Sequence, residues 1–591
     1  MNCLARLPVA LMIAGLAASA CAADPAKVLR IPFPDVTALD PQQIGDLYSV
    51  RVSNAIFEGL YQYTYLAEPA RIVPNTAAAL PEITDGGKTW TIRLQKGIRF
   101  TDDPAFRTLP RELVAADYVY SLKRWLDPNL KGGGEPALTD LIAGARAIVD
   151  AARQPGGRFD YDAPIAGLRA LDAYTLQITL TQVDYTLLER LANWQSFAVA
   201  REVIEARGPD TSTGPVGTGP YQLKEWKRGS RVVLEANPHY RTLAFPEAAD
   251  PALASIVAGM KGVRLPAVGR IELEIVEEEI PQVLGFEKGD FDYVQLGGAS
   301  RRLLQDGKLR PDYAARGIHH VRFVVPALIY TYFNMDDPAV GGYAPERIAL
   351  RRAIGMGFNT PDFIRVIYGG NALPAMQLLP PGIEAHDATR DGKSSFDAVA
   401  ARALLDRFGY KDRDGDGYRE APGGTPLTLT QSSPPDSLSR ETDALWLSSM
   451  KAIGLRMQIN TAPFAELLKQ SLAGQLQLFN LGYRSPGPSG FVILSTLWGK
   501  APPDTNRSHF RNADYDAAYE AFLRTPPGPE RNQQARRMSD IVQAYAPIFY
   551  QVYPIGNAFA QPWLKGYYPS IFGFSWKYLD IDVAKKRATR K

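Results

Sequence analysis

The chain has 591 residues, 46% of them apolar and 22% charged, with 66 basic against 63 acidic side chains. It is long enough for two or three domains and too apolar for a disordered chain, and a net charge of +3 offers no basic face for nucleic acid. The two cysteines, Cys3 and Cys21, both lie near the N-terminus, which excludes a disulfide framework or a cysteine zinc site from the body of the chain. In MNCLARLPVALMIAGLAASACAAD, Arg6 precedes a short apolar run and then small residues, the layout of a signal peptide over 1–22. Cleavage after Ala22 fits Ala20-Cys21-Ala22; the weaker alternative is a loose lipoprotein box, Ala18 to Cys21, with Cys21 lipidated. Beyond residue 30 no apolar stretch approaches the ~18 residues of a membrane helix, so the expectation is an exported, periplasmic protein.

Along the chain, VLRIPF (28–33) reads as a first strand, followed by a turn at Asp40-Pro41 and a helix that Gly59 ends. KTWTIRLQKGIRF (88–100) alternates apolar and polar residues about Lys96-Gly97 and predicts a hairpin. RELVAADYVYSLKRWL (111–126) predicts an amphipathic helix stopped by Asp127-Pro128; AYTLQITL (173–180) is a strand and 221–237 a second hairpin. Residues 269–296 read strand, helix, strand, with the first strand at Ile271 to Ile275 and the helix opening near Pro281. The same order returns in 425–432, 440–451 and 455–460, followed by a helix at 463–473 and a strand at 475–483. Strands interleaved with crossover helices predict α/β domains with largely parallel pairing.

Catalytic signatures fail on context. Gly217-Thr218-Gly219 leads into a hairpin rather than a helix, so it is no phosphate cradle. HExxH, GxSxG and GxxxxGK[ST] are missing, and of five histidines only His319 and His320 are close, on opposite faces of a strand. No catalytic residue, metal site or cofactor is expected. Glu277-Glu278-Glu279 sits where acids favour the positive end of a helix. KDRDGDGYRE (411–420) fills positions 1, 3, 5 and 6 of a calcium loop with Asp412, Asp414, Asp416 and Gly417, but position 12 is Gly423. It reads as an acidic helix-to-strand turn whose aspartates accept local N–H groups, with an adventitious weak calcium site as the alternative.

Several blocks, in order, resemble one family. TALDPQQIGDLYSVRVSNAIFEGLYQY (37–63), VPNTAAALPEITDGGKTWTIRLQKGIRFTDD (73–103), VAADYVYSLKRWLDP (114–128), VGTGPYQLKEWKRGSRVVLEANPHY (216–240), IVEEEIPQVLGFEKGDFDYVQ (275–295) and ALRRAIGMGFNTPDFIRVIYGGNALPA (349–375) are similar to the extracellular solute-binding proteins of bacterial ABC importers, peptide-binding family 5. Asn359 and Asp103-Pro104 depart from its usual Asp and Asp-Gly. The resemblance implies a non-enzymatic, monomeric α/β receptor with mixed sheets, two-lobed in the type II, cluster C manner, that closes on a peptide or peptide-like ligand. It would deliver that ligand to ABC permease subunits and their ATPase in the inner membrane. Mapped here, lobe I takes 27–63, 171–277 and 548–591, an inserted subdomain 64–170, and lobe II 278–547, with hinge strands near Ile275 and Ile548.

In peptide-binding members a segment resembling "GW..DY.DP..FL" carries an aspartate that pairs with the ligand's α-ammonium. Here the matching stretch is LGYRSPGPSGFVIL (481–494); the aspartate position falls on Arg484, or on Pro486 in a second register, and no acid occurs between Gln475 and Pro503. Arg484 then offers a guanidinium suited to carboxylate or phosphate, or is a solvated loop residue. The expected ligand-binding set is Asp46, Tyr48, Tyr483, Arg484 and Tyr550. A peptide, a blocked peptide, an acidic conjugate or a modified sugar would fit it. A secreted hydrolase, or a chaperone or adhesion protein, is the alternative class.

Overall fold

The computed structural model describes residues 23–589 apart from 68, 133–134, 391–394 and 575, so the expected signal peptide and Cys21 lie outside the described residues. Chain order explains the architecture. The first strand, β1 (Asp24–Phe33), buries Leu29, Ile31 and Phe33. Helix α1 (Leu47–Ile56) follows, three residues shorter than the glycine at position 59 suggests. The chain then builds a small unit from β2 (Glu82–Thr84), β3 (Thr89–Arg93), α2 (Ala115–Leu126), β4 (Leu168–Asp172) and β5 (Thr175–Thr179). Its sheet runs β2-β3-β5-β4. The predicted hairpin at 88–100 does not form: β3 pairs with β2 and β5, because Trp90 and Ile92 face a core shared with Leu176 and Ile178. β5, assigned to lobe I on the sequence, therefore belongs to the inserted unit.

Back in lobe I, β6 (Tyr221–Lys227) and β7 (Arg231–Ala236) form the second predicted hairpin, and β8 (Val268–Ile275) lies parallel to β1 and antiparallel to β7. The Gly217-Thr218-Gly219 turn abuts the C-terminal end of α1: Gly219 N–H donates to Ile56 C=O at 2.8 Å. A Cβ on Gly217 would meet that oxygen at 2.0 Å, so close backbone approach, not phosphate binding, requires the glycine.

Lobe II opens with α3 (Glu279–Lys288) and β9 (Tyr293–Leu296). It continues through β10 (His319–Val324), β11 (Ala327–Phe333), β12 (Ala372–Pro374) and β13 (Thr428–Ser433). Helix α4 (Ser437–Ala452), β14 (Arg456–Thr461), α5 (Phe464–Leu472), β15 (Leu478–Arg484), α6 (Pro529–Tyr545) and the long β16 (Ile548–Ala560) complete it. The sheet order is β9-β16-β11-β15-β13-β14, with β10 and β12 also on β16. β13 is parallel to β14 and β15, as the strand–helix–strand pattern demands. Pairing is nevertheless mostly antiparallel, because β16 returns against β9, β10, β11 and β12. A strand crossing back from a distant part of the chain has no local sequence signal for its direction.

β16 also moves the second crossing. Residues 548–552 pair with β11 inside lobe II, whereas Ala558, Ala560 and Trp563 join the lobe I core, so the chain re-enters lobe I well after Ile548. The fully buried Asp292 marks the crossing: Arg30 N–H donates to it at 2.7 Å, Trp563 Nε1–H at 2.6 Å, and Lys586 Nζ lies 2.6 Å away. One carboxylate thereby ties β1, the start of lobe II and the C-terminal segment together.

Candidate ligand-binding cleft

Asp46 is the N-cap of α1. Its carboxylate accepts from Tyr48 and Ser49 N–H at 3.0 and 2.8 Å and from the Thr37 and Ser49 hydroxyls at 2.5 and 2.6 Å. Burial alone would raise its pKa, yet these donors hold the carboxyl below its ordinary value. With that start fixed, Tyr48 and Arg51, three residues apart, share a face of the helix. Tyr48 is 43% exposed and packs edge-on against Phe33, ring centroids 5.9 Å apart. Arg51 donates to Gln295 Oε1 of lobe II at 3.2 Å.

Facing them is the end of β15, where Arg484 pairs with Ala327 across the ladder. Asp46, Tyr48, Arg51, Arg484, Ser485 and Pro486 all line one cavity of about 860 Å³, to which lobe I also gives Trp194, Phe574 and Trp576 and lobe II gives Phe323 and Tyr368. That size and its aromatic walls suit an organic ligand. Tyr483 and Tyr550 are placed elsewhere. Side chains alternate along a strand, so with Arg484 in the cleft Tyr483 faces the other way, into the lobe II core. Tyr550, opposite Tyr330, is buried in the same core with its hydroxyl unpaired. Arg51 was missed although its spacing from Tyr48 on one predicted helix was legible.

Arg484 lies open to the cleft yet is enclosed by protein, and this desolvation, with the nearby Arg51 charge, pushes its guanidinium down to about 10. It remains cationic at neutral pH. The cleft's carboxylates are mostly engaged. Asp46 caps α1. Glu58 accepts from both Arg241 terminal nitrogens at 2.9 and 2.8 Å, from Tyr240 at 3.0 Å and from Thr218 at 3.0 Å. Glu279 accepts from Gly297 and Ala299 N–H at 2.6 and 2.8 Å, which gives the acidic triplet a structural use. Glu277, exposed, also lines the cavity. Lys577 donates to Gln62 at 2.6 Å, and burial pushes its ammonium down to about 8.

Outside the cavity the lobes also touch. Tyr185 N–H donates to Leu523 C=O at 2.8 Å, and the Arg190 guanidinium lies 5.1 Å from the Phe491 ring.

Residues 71–504 match the family described as Bacterial extracellular solute-binding proteins, family 5 Middle. The chain belongs to this family. It is a family of solute-binding transport proteins, not of enzymes. Among curated relatives, the chain is 24% identical to Di/tripeptide-binding protein 2 of Pseudomonas aeruginosa, covering 76% of each chain. It is also 24% identical to Heme-binding protein A of Haemophilus influenzae, covering 84% of this chain and 82% of that one. Among solved structures, HbpA2 from Haemophilus parasuis superposes with a TM-score of 0.71 at 17% identity, over 94% of this chain and all of that one. The two-lobed family fold is therefore this chain's fold, and no helix among the described residues is long and apolar enough to cross a membrane.

Outside the cleft, the carboxylates of Asp412, Asp414, Asp416 and Glu420 offer oxygens within 4.8 Å of one another. Asp412 accepts from Gly415 and Gly417 N–H at 2.7 and 3.0 Å, Asp416 from Tyr418 N–H at 2.9 Å, and Arg456 pairs with Asp416. These are the local backbone bonds expected of an acidic turn.

Proposed function

We propose that this family 5 protein is the periplasmic receptor of an ABC importer that captures a peptide or peptide-like solute between its lobes and presents it to inner-membrane permease subunits. Export through a signal peptide over 1–22 accompanies this reading, with lipidation at Cys21 as the alternative. The observation that carries it is a cavity walled by aromatic side chains from both lobes and reached by an arginine from each. Excluding water between closing lobes strengthens the few polar contacts inside and makes the ligand select the closed state. Tyr48 and Arg484 contact the solute, Asp46 positions α1, and Tyr483 and Tyr550 stiffen the wall from behind.

Curated relatives are named for di- and tripeptides and for haem, so relatedness at this distance leaves the solute class open. Arg484, where peptide binders carry an acid, favours a solute without a free ammonium at that end, such as a blocked peptide or an acidic conjugate. Thermal unfolding of the purified protein with tripeptides, N-acetylated tripeptides and sugars tests this. N-acetylated tripeptides should raise the melting temperature more than free-amine ones. Equal stabilisation by free-amine tripeptides, unchanged in Arg484→Asp, would overturn the role of Arg484, and stabilisation by sugars alone would overturn the peptide reading.

A further inference from the structure

The two arginines of the cleft come from opposite lobes: Arg51 from α1 and Arg484 from the end of β15. Among the described residues neither forms an ion pair with a carboxylate, and Arg484 makes no hydrogen bond with its side chain. Arg51 has a single neutral acceptor, Gln295. Burial and the Arg51 charge both disfavour the Arg484 cation. Glu277 lines the same cavity but forms no ion pair with Arg484, and the other three cleft acids are held by α1, Arg241 and the Gly297 loop.

Both arginines line this cavity while the lobes already touch, through Tyr185 and Leu523. The two like charges thus face one cavity from opposite lobes, where partial enclosure by protein screens their repulsion less than bulk water would. No protein carboxylate among the described residues pairs with either guanidinium, so a solute anion is the complementary charge the cavity lacks. The planar fork of each guanidinium matches the two oxygens of a carboxylate or the face of a phosphate.

We infer that Arg51 and Arg484 form a two-lobe anion clamp: the transported solute carries a carboxylate or phosphate group that bridges them, and that group releases the repulsion opposing closure. This rests on the receptor reading above and names the chemistry of its ligand. It also gives closure a trigger, since a solute lacking the anion could enter the cleft but would leave the two charges opposed.

The test uses calorimetric titration of the full-length mature protein, with Arg51→Gln, Arg484→Gln and the charge-keeping Arg484→Lys. The probes are inorganic phosphate, and one tripeptide pool prepared with free C-terminal carboxylates and again as C-terminal amides, N-acetylated in both cases. Wild type should bind phosphate and should prefer the acid pool to the amide pool by about tenfold or more. Either Gln variant should lose phosphate binding and that preference, and Arg484→Lys should keep part of both. Urea unfolding of the variants separates loss of the clamp from loss of the fold. Phosphate binding that survives both Gln variants, its absence in wild type, or equal affinity for acid and amide in all four proteins would overturn the clamp. If neither pool binds but phosphate binding remains arginine-dependent, the clamp stands and the peptide reading falls. If both pools bind alike and independently of the arginines, the reverse holds.

Discussion

Replacing Arg124 by Ala is expected to cost about 3–5 kcal/mol of stability, read as a lowered urea midpoint, because it strands a buried charge. Arg124 is 2% exposed and Asp40 1%. The guanidinium donates to both Asp40 oxygens at 2.9 and 2.7 Å and to Gln42 Oε1 at 2.6 Å, and Asp40 also accepts from Gln43 Nε2 at 2.8 Å. Burial would raise the Asp40 carboxyl, but Arg124 holds it below its ordinary value, so the carboxylate stays ionised and needs its partner. Replacing both, with Arg124→Met and Asp40→Leu, should cost much less, since no unpaired charge is then left inside. The pair joins α2 of the inserted unit to the segment leading into α1. Its loss should therefore also weaken ligand binding through Tyr48 and Arg51.

Ligand affinity should fall as pH rises from about 5 to about 8, and Glu189→Gln should flatten that dependence. Glu189 lies on the lobe I side, after β5, and meets lobe II where the lobes touch, with Ser489, Glu384 and Arg531 from lobe II and Arg190 and Tyr63 from its own side. Burial pushes its carboxyl up to about 7, only partly offset by the Arg531 charge. The sign follows from that direction. A carboxyl whose pKa is raised in the contact favours the contact fully below its ordinary value of 4.5, and the benefit is lost as pH rises through about 7. When the lobes part, Glu189 meets water and its ordinary value returns. The shift is worth about 3 kcal/mol, on the order of a hundredfold in affinity if all of it couples to closure. Calorimetric titrations across the pH range measure it; a profile identical in wild type and Glu189→Gln would show that Glu189 does not report on closure.

Much of the fold was written locally. The lobe I strand ending at Ile275, the hairpin at 221–237 and the parallel β13–β14 pair each follow from alternation, glycine turns and helix spacing within one short stretch. What was not legible depends on distant partners. The ladder direction of β16, the pairing of β3 with β5 instead of a hairpin, and the Asp40–Arg124 pair, 84 residues apart, are set by packing between remote segments. In the cleft, Arg484 was marked by the acid it replaces. Tyr483 could have been set aside by strand alternation alone, and Arg51 recognised by its helical spacing from Tyr48. The core position of Tyr550 needed its cross-strand neighbour Tyr330.

A solute bound between the lobes should select the closed receptor. Small-angle X-ray scattering of the purified protein, with and without a saturating concentration of the tightest-binding N-acetylated acid tripeptide, tests it most directly. The radius of gyration should fall on binding in wild type and should fall less, at equal occupancy, in Arg484→Gln. A radius unchanged by a ligand shown to occupy the cleft would mean that binding does not select a closed state.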